Sequence, residues 1–146
     1  MEHSDDKHFT FFRFEDLRVY HKAMDYALWV KTSTNSFANP SDLDLAAKFN
    51  TSAQAIAINI AEGSARNKSQ FIYYLKMAKS ALRECLVYGT LTLNLELISE
   101  EQETHSRNQL MEMTKMIGAL ISSLQRSVVK VDEENDFEHN FDANTY

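Results

Sequence analysis

The sequence predicts an all-α protein, an up-down-up-down bundle of four helices. Three glycines and one proline among 146 residues leave too few turn residues for a sheet, whose strands need a turn every few positions. Four segments also carry apolar residues at alternating spacings of three and four, which is the periodicity of an amphipathic helix. Because the joints between these segments are short, consecutive helices should pack as antiparallel neighbours.

The first two helices are separated by the single proline. The apolar spacing predicts a first helix over about residues 16–36, and this helix ends before Pro40 because proline disfavours helix at the preceding residue. Ser41 is the expected N-cap of the second helix, with Asp44 three residues later. Gly63 stands where a left-handed glycine would close a helix, so we expect the second helix to end there.

The third and fourth helices are marked by serine caps. Ser69 is the expected N-cap of a third helix that extends to about Ile98. Ser99 and Gln102 have the spacing of a capping box, which predicts the start of the fourth helix. The apolar stripe of that helix comprises Leu110, Met113, Ile117, Leu120, Leu124, Val128 and Val131.

Negative charge is concentrated at the two ends of the chain. The net charge is −6, to which residues 1–16 contribute −3 and residues 130–146 contribute −5, so the intervening segment carries +2. Such acidic ends are typical of disorder. The predicted organisation is an acidic N-terminal tail (1–15), a four-helix bundle (16–131) and an acidic, disordered C-terminal tail (132–146).

The sequence indicates a cytoplasmic location. Cys85 is the only cysteine, so no disulfide can form within the chain, and a lone thiol suits a reducing compartment. The first residues have acids where a signal peptide needs a basic and an apolar region, and no apolar run approaches about eighteen residues. We therefore expect no membrane partner.

The second helix predicts self-association. From residue 53 to residue 61 it reads "AQAIAINIA", in which only Gln54 and Asn59 are polar. A helix that is apolar on nearly all sides should be covered on both sides, most simply by another copy of the chain. The alternative is that loops or the tail cover this face. The predicted oligomer surface comprises Ala53, Ala55, Ile56, Ala57, Ile58 and Ile60.

A group of polar residues follows that segment. Asn59, Glu62 and Arg66 are three and four residues apart, and Glu84 on the third helix could lie opposite them. We interpret Asn59, Glu62, Gly63 and Glu84 as structural residues that fix how helices or subunits meet. No nucleophile or second titrating group accompanies the carboxylates at a spacing typical of catalysis.

The sequence predicts neither an enzyme nor a metal or cofactor site. Two pairs, His21 with Asp25 and Glu101 with His105, have i,i+4 spacing, but each pair would offer a metal only two ligands. There is no Glu-x-x-His motif, glycine-rich phosphate loop or zinc spacing, and no small-molecule substrate is evident.

One cluster of basic residues suggests contact with phosphate. Lys76, Lys79 and Arg83 form a row on the third helix, and Arg66 and Lys68 precede that helix. Like charges at this spacing repel one another, so an anionic partner would stabilise the row. The anion could be a nucleic-acid phosphate, or it could be acidic residues of a neighbouring helix or subunit.

Three segments together resemble a known family. They are "FEDLRVYHKAMDYA", "AQAIAINIAEGSARNKSQFIYYLKMAKSALRECL" and the apolar stripe of the last helix, and they span about residues 12–127. The most specific features are Asn-Ile-Ala-Glu-Gly and the pattern formed by Ala78, Leu82 and Glu84. The chain is thus similar to the four-helix-bundle family of the 23S ribosomal RNA intervening sequence, which includes accessory proteins of diversity-generating retroelements.

The resemblance implies a bacterial, cytosolic, left-handed four-helix bundle that forms a homopentameric ring without enzymatic activity. It also implies RNA, DNA or a reverse transcriptase as a partner, because the retroelement proteins engage these through a strongly basic surface. This chain departs from that pattern in "KFNTSAQAI", where Lys48 is the only cation, and in Ser80-Ala81, which replaces Gly-Ser. Two hypotheses therefore remain: an oligomeric scaffold that contacts nucleic acid, and an oligomeric adaptor that binds only proteins.

Overall fold

A computed structural model describes the backbone of residues 11–143 and the side chains of residues 11–130. Within this range the chain is helical and contains no strand, which confirms the all-α prediction. The elements are a 3-10 helix (Arg13–Asp16) and four α-helices, α1 (Arg18–Thr34), α2 (Pro40–Ser64), α3 (Lys68–Asn94) and α4 (Glu100–Ala143).

The four helices pack as a closed bundle. Each helix contacts the next in sequence, and α4 also contacts α1, so every helix has two neighbours. With connections of three to five residues, consecutive helices are antiparallel. The bundle encloses one main core, whose fully buried large side chains include Tyr26, Phe49, Ile56, Ile60, Leu75, Leu82, Leu110, Met113 and Ile117.

The start of α2 differs from the prediction. Asn39 occupies the N-cap position and Pro40 begins the helix, so Ser41 is already inside the first turn. Proline suits this place because the first N–H groups of a helix have no intrahelical partner and its φ angle is already helical. Pro40 is therefore the first residue of α2. From the sequence alone, it was interpreted only as a mark of the end of α1.

The joint between α2 and α3 also corrects two expectations. Gly63 lies inside α2, which ends at Ser64, and no glycine within residues 11–143 has a positive φ angle. The prediction that Gly63 is a left-handed cap is therefore wrong. Asn67 caps α3, since its side-chain oxygen accepts a hydrogen bond of 2.9 Å from the amide of Gln70. Ser69, the expected cap, lies in the first turn.

The joint between α3 and α4 is partly as predicted. The third helix ends at Asn94, four residues earlier than expected, and Glu96 adopts a left-handed conformation with φ of 59°. The capping box is confirmed: the amide of Ser99 donates to Gln102 Oε1 over 2.8 Å, and the amide of Gln102 donates to Ser99 Oγ over 3.1 Å.

The ends of the chain complete the fold. The 3-10 helix lies in the predicted N-terminal tail, yet it packs against α1 and α2, so the ordered part begins earlier than residue 16. Residues 1–10 and 144–146 lie outside the described residues. The fourth helix continues past residue 131 to Ala143, and the disorder predicted for 132–146 stays a prediction. No helix in the described part of the chain is long and apolar enough to cross a membrane.

Candidate interaction surfaces

The apolar residues of α2 divide into two groups. Ala53, Ile56, Ala57 and Ile60 are buried within the core of a single chain. The assignment of Ala53, Ile56 and Ile60 to an oligomer surface is therefore wrong, whereas Ala57, although buried, also lines the surface groove between α1 and α2 that is described below. Because α2 packs against both α1 and α3, two helices of the same chain cover it, and this explains its wide apolar face. Of the remaining predicted residues, Ala55 is half-buried and Ile58 is 58% exposed.

Asn59 and Glu62 lie on the surface side of α2. The Asn59 side chain is half-buried, and its Nδ2 donates a hydrogen bond of 2.8 Å to the carbonyl of Ala55 in its own helix. Glu62 is exposed and pairs with Arg66 one turn later, at 3.5 Å. An exposed pair of this kind contributes about 0–1 kcal/mol. In the single chain, the polar partners of Asn59 and Glu62 thus belong to α2 itself or to the loop that follows it.

Gly63 and Glu84 both join α2 to α3, but at different levels. A Cβ atom on Gly63 would lie 2.7 Å from Phe71 Cδ2 and 2.7 Å from Tyr74 Cβ, so glycine permits close approach of the two helices. Glu84 accepts a hydrogen bond of 2.8 Å from the buried Ser52 hydroxyl. Glu84 therefore lies opposite Ser52, about three turns along α2 from Glu62, and the expected cluster with Glu62 does not form.

The predicted basic residues also separate into two groups. Arg66 pairs with Glu62 and lies over the Tyr74 ring, while Lys68 donates to the Ser127 hydroxyl. The other three, which we call the α3 basic row, are Lys76, Lys79 and Arg83. Lys76 and Arg83 are exposed and Lys79 is half-buried. None of the three forms an ion pair with a residue in the described part of the chain, so the described residues leave the positive charge of the row uncompensated.

An apolar groove lies between α1 and α2. Its volume is about 410 Å³, and its walls include Leu28, which is 62% exposed, and Ile58. We call this the α1/α2 groove, and it is lined by Met24, Ala27, Leu28, Lys31, Gln54, Ala57 and Ile58. Large apolar side chains clustered on a surface are characteristic of interaction sites.

A second apolar groove lies between α3 and α4. Its volume is about 460 Å³, and its walls include Val87, which is 64% exposed. We call this the α3/α4 groove, and it is lined by Leu86, Val87, Thr90, Leu91, Asn94 and Arg107. Since α1 and α2 form one side of the bundle and α3 and α4 the other, the two grooves face in opposite directions.

A third cavity, of about 540 Å³, lies where the N-terminal segment covers the end of α2. The aromatic rings of Phe11, Phe12 and Phe14 form one wall, and the last turns of α2 around Glu62 form the other. Residues 1–15 were predicted to be a tail, and the sequence did not predict this cavity. The aromatic run from Phe11 to Phe14 is the signal that could have indicated it.

A buried polar cluster connects three helices. The Tyr26 hydroxyl on α1 and the Ser106 hydroxyl on α4 are 2.8 Å apart and share a hydrogen bond. Burial raises the pKa of Tyr26, and burial also raises the pKa of the neighbouring Cys85 thiol on α3 to about 12. Tyr26 was not among the predicted core residues, although its position three residues after Ala23 and four before Val30 continues a buried stripe.

The raised pKa of Cys85 predicts an unreactive thiol. The thiolate is the nucleophile, so at pH 8 we expect iodoacetamide to modify the folded protein at least about 100-fold more slowly than the unfolded protein. Mass spectrometry after timed alkylation, with and without denaturant, measures both rates. Equal rates would contradict the burial of Cys85.

No cluster of three or more His, Cys, Asp or Glu side chains that could hold a metal occurs among the described residues. Of the two pairs noted in the sequence, His21 Nε2 is 2.5 Å from the carbonyl of Glu15 rather than paired with Asp25. His105 lies against the Trp29 ring, with the ring centroids 5.3 Å apart. The polar groups of these surfaces thus suit hydrogen bonds and packing more than metal binding.

Comparison with known proteins agrees with this architecture. No curated protein matches the chain. A crystal structure at 1.70 Å resolution, of a protein of unknown function from the S23 ribosomal protein family of Bacteroides thetaiotaomicron, is similar with a TM-score of 0.66. The two sequences are 22% identical, and the match covers 71% of this chain and 95% of the other. Residues 15–119 match the family model described as 23S rRNA-intervening sequence protein, so the chain belongs to that family.

Proposed function

We propose that this protein is a non-enzymatic scaffold that assembles as a ring of identical chains, most simply a homopentamer. The observation that carries the proposal is the pair of apolar grooves on opposite sides of the bundle. Exposed residues such as Leu28 and Val87 are costly to leave in water, at about 25 cal/mol per Å² of apolar surface. Contact between the α1/α2 groove of one chain and the α3/α4 groove of the next would remove both surfaces from water.

The placement of the grooves supports a ring over a two-fold dimer. A two-fold interface uses the same patch on both chains, whereas two different patches on opposite sides give a head-to-tail contact. Repeating such a contact closes into a ring when the rotation between chains divides a full turn. The number five comes from the family resemblance, and the lone thiol supports assembly in a reducing compartment such as the cytoplasm.

We also propose that the ring contacts RNA or DNA through the α3 basic row. Lys76, Lys79 and Arg83 have no ion-pair partner among the described residues, and each copy in a ring would repeat the row. Weak sites that act together gain affinity through effective concentration. The description of the family refers to 23S rRNA, which makes a ribosomal RNA fragment a suitable first probe. A reverse transcriptase is a further partner suggested by the family resemblance.

The alternative function is a protein–protein adaptor that does not bind nucleic acid. The net charge of −6 favours it, because a negative protein is repelled by phosphates at distances beyond direct contact. The same ring would then present its exposed surfaces to other proteins, and the RNA titration below separates the two functions.

Self-association is tested by placing a charge in the α1/α2 groove. The wild-type protein should have a mass that is a multiple of 16.8 kDa in light scattering. Ile58→Asp should return the mass of a single chain, because burial of an unpaired carboxylate in an apolar interface is strongly unfavourable. The control Val129→Asp changes a side chain of similar exposure, 54%, far from both grooves, and should leave the mass unchanged. A wild-type mass of 16.8 kDa at micromolar concentration would contradict the proposal.

Nucleic-acid contact is tested by reversing the charge of the α3 basic row. Fluorescence anisotropy of a structured ribosomal RNA fragment should show binding that weakens as salt rises. The triple variant Lys76→Glu, Lys79→Glu, Arg83→Glu should reduce the slope of log K against log salt by about 2–3 per chain engaged. A control with the same change in charge reverses three exposed cations of α4, Lys115, Arg126 and Lys130. Absence of binding at low salt would leave the adaptor function.

A further inference from the structure

The fourth helix is much longer than the second and the third. It has 44 residues, compared with 25 in α2 and 27 in α3. Lys68, the first residue of α3, hydrogen-bonds to Ser127, so the bundle ends near this level of α4. Residues 128–143 continue the helix by about 24 Å beyond this level, at about 1.5 Å a residue.

This extension points away from the α3 basic row of its own chain. Two contacts fix α3 and α4 as antiparallel: Lys68 with Ser127 at one end and Arg107 with Thr90 further along. From Lys68, the row begins about 12 Å along α3 in one direction, whereas the extension proceeds in the other. While α4 is helical, its last residues therefore cannot reach the row on the same chain.

The composition of the extension indicates that it needs a partner. A helix with no neighbour has little stability in water, and Asp and Asn are poor helix formers. Residues 132–143 contain three Asp and two Asn. They also contain Phe137 and Phe141, four residues apart in the sequence, a spacing that is typical of two residues on one helix face. The acids of this segment are Asp132, Glu133, Glu134, Asp136, Glu138 and Asp142.

The exposed side of α3 has the complementary chemistry. It carries the three cations of the row, which have no ion pair among the described residues. Beside them lie two large exposed side chains, Tyr73 at 59% and Met77 at 43%. An amphipathic partner that carries acids and aromatic rings fits such a surface, because the charges pair while the apolar groups leave water.

We propose that the acidic C-terminal segment 132–146 of one chain docks on the α3 basic row of a second copy. The proposal rests on the proposed self-association, and it specifies the partner of the row within the assembly. Docked acids would neutralise Lys76, Lys79 and Arg83, so a nucleic acid would have to displace the segment before it could contact them. The acidic end and the basic row thus form one regulated site, with a phosphate backbone as the competing ligand.

The test is zero-length crosslinking of the full-length protein between isotopically distinct copies. Equal amounts of ¹⁴N and ¹⁵N protein are unfolded and refolded together, and native mass spectrometry verifies that the copies have mixed. A carbodiimide then joins carboxylates to lysine amines that are in direct contact. We expect mixed-isotope peptides that connect acids of the segment to Lys76 or Lys79. The charge-preserving variant Lys76→Arg, Lys79→Arg should retain the assembly but lose these crosslinks, because the carbodiimide does not couple arginine to carboxylates.

The outcomes separate this inference from the proposed function. Light scattering on the same sample reports the mass independently of the crosslinks. An oligomer whose C-terminal acids join only other lysines, or only lysines of the same chain, would overturn the docking but leave the scaffold intact. A single-chain mass would overturn both. As a second readout, amide substitution of all six acids of the segment should abolish the crosslinks without changing the mass if the grooves hold the ring together.

Discussion

Replacing Gly63 with alanine should lower the free energy of unfolding by about 1–3 kcal/mol, although alanine is the better helix former. A Cβ at this position would lie 2.7 Å from Tyr74 Cβ and equally close to Phe71 Cδ2. The Phe71 ring can rotate away, but Tyr74 Cβ is fixed by the backbone of α3. The two helices must therefore separate, and the loss of packing along their interface exceeds the gain of about 1 kcal/mol in helix propensity.

Gly118→Ala provides the matched control. Gly118 lies in the middle of α4, and no described atom of another helix is within 4 Å of the place that its Cβ would occupy. This substitution should raise the free energy of unfolding by up to about 1 kcal/mol. Urea denaturation followed by circular dichroism, at one protein concentration for all variants, measures both changes. Similar changes for the two substitutions would contradict the close approach of α2 and α3.

The substitution Ile56→Ala should cost about 2–5 kcal/mol, because Ile56 is fully buried in the core of the single chain. Its neighbour two residues later, Ile58, faces solvent at the α1/α2 groove. Ile58→Ala should change the stability of the single chain by less than about 0.5 kcal/mol. The two isoleucines are equal in chemistry and lie on the same helix, so the comparison isolates the effect of burial.

The dependence on protein concentration distinguishes the two positions. The loss caused by Ile56→Ala should be the same at low and high concentration, since the contacts that it removes lie within one chain. The effect of Ile58→Ala should appear only where the wild type is assembled, because association stabilises by mass action. If Ile56→Ala altered the assembled mass and left the stability of the single chain unchanged, the placement of Ile56 in the core would be wrong.

The predictions that held best were those that depend on residues only a few positions apart in the sequence. The capping box of Ser99 and Gln102 forms as expected, because both hydrogen bonds depend only on residues three apart. Asn67 rather than Ser69 caps α3, since either side chain can accept the hydrogen bond and the sequence does not decide between them. Gly63 was misread for a different reason: a glycine fits here because Phe71 and Tyr74 approach it closely from another helix, which the local sequence does not show.

The candidate surfaces could be predicted only in part. The α3 basic row follows from helical spacing, and the structure leaves Lys76 and Arg83 exposed and Lys79 half-buried. Burial on α2 does not follow, because nothing local in "AQAIAINIA" tells which neighbours cover Ile56 and leave Ile58 exposed. Each groove is formed by two helices, and the residues that line it from one helix are distant in sequence from those of the other. They required the three-dimensional structure.

The hydrogen bond between Tyr26 and Ser106 has a consequence for the register of the bundle. Apolar side chains such as Val30 and Ile117 could pack almost as well after α4 slid along α1 by one turn, about 5.4 Å. The two hydroxyls could not, because such a slip would break their hydrogen bond and leave the buried Ser106 hydroxyl without this partner, at a cost of about 1–3 kcal/mol. One polar pair thus selects a single alignment among several that the apolar stripes alone would allow. Changing both residues to apolar ones, as in Tyr26→Phe with Ser106→Ala, should keep the helices but relax their alignment.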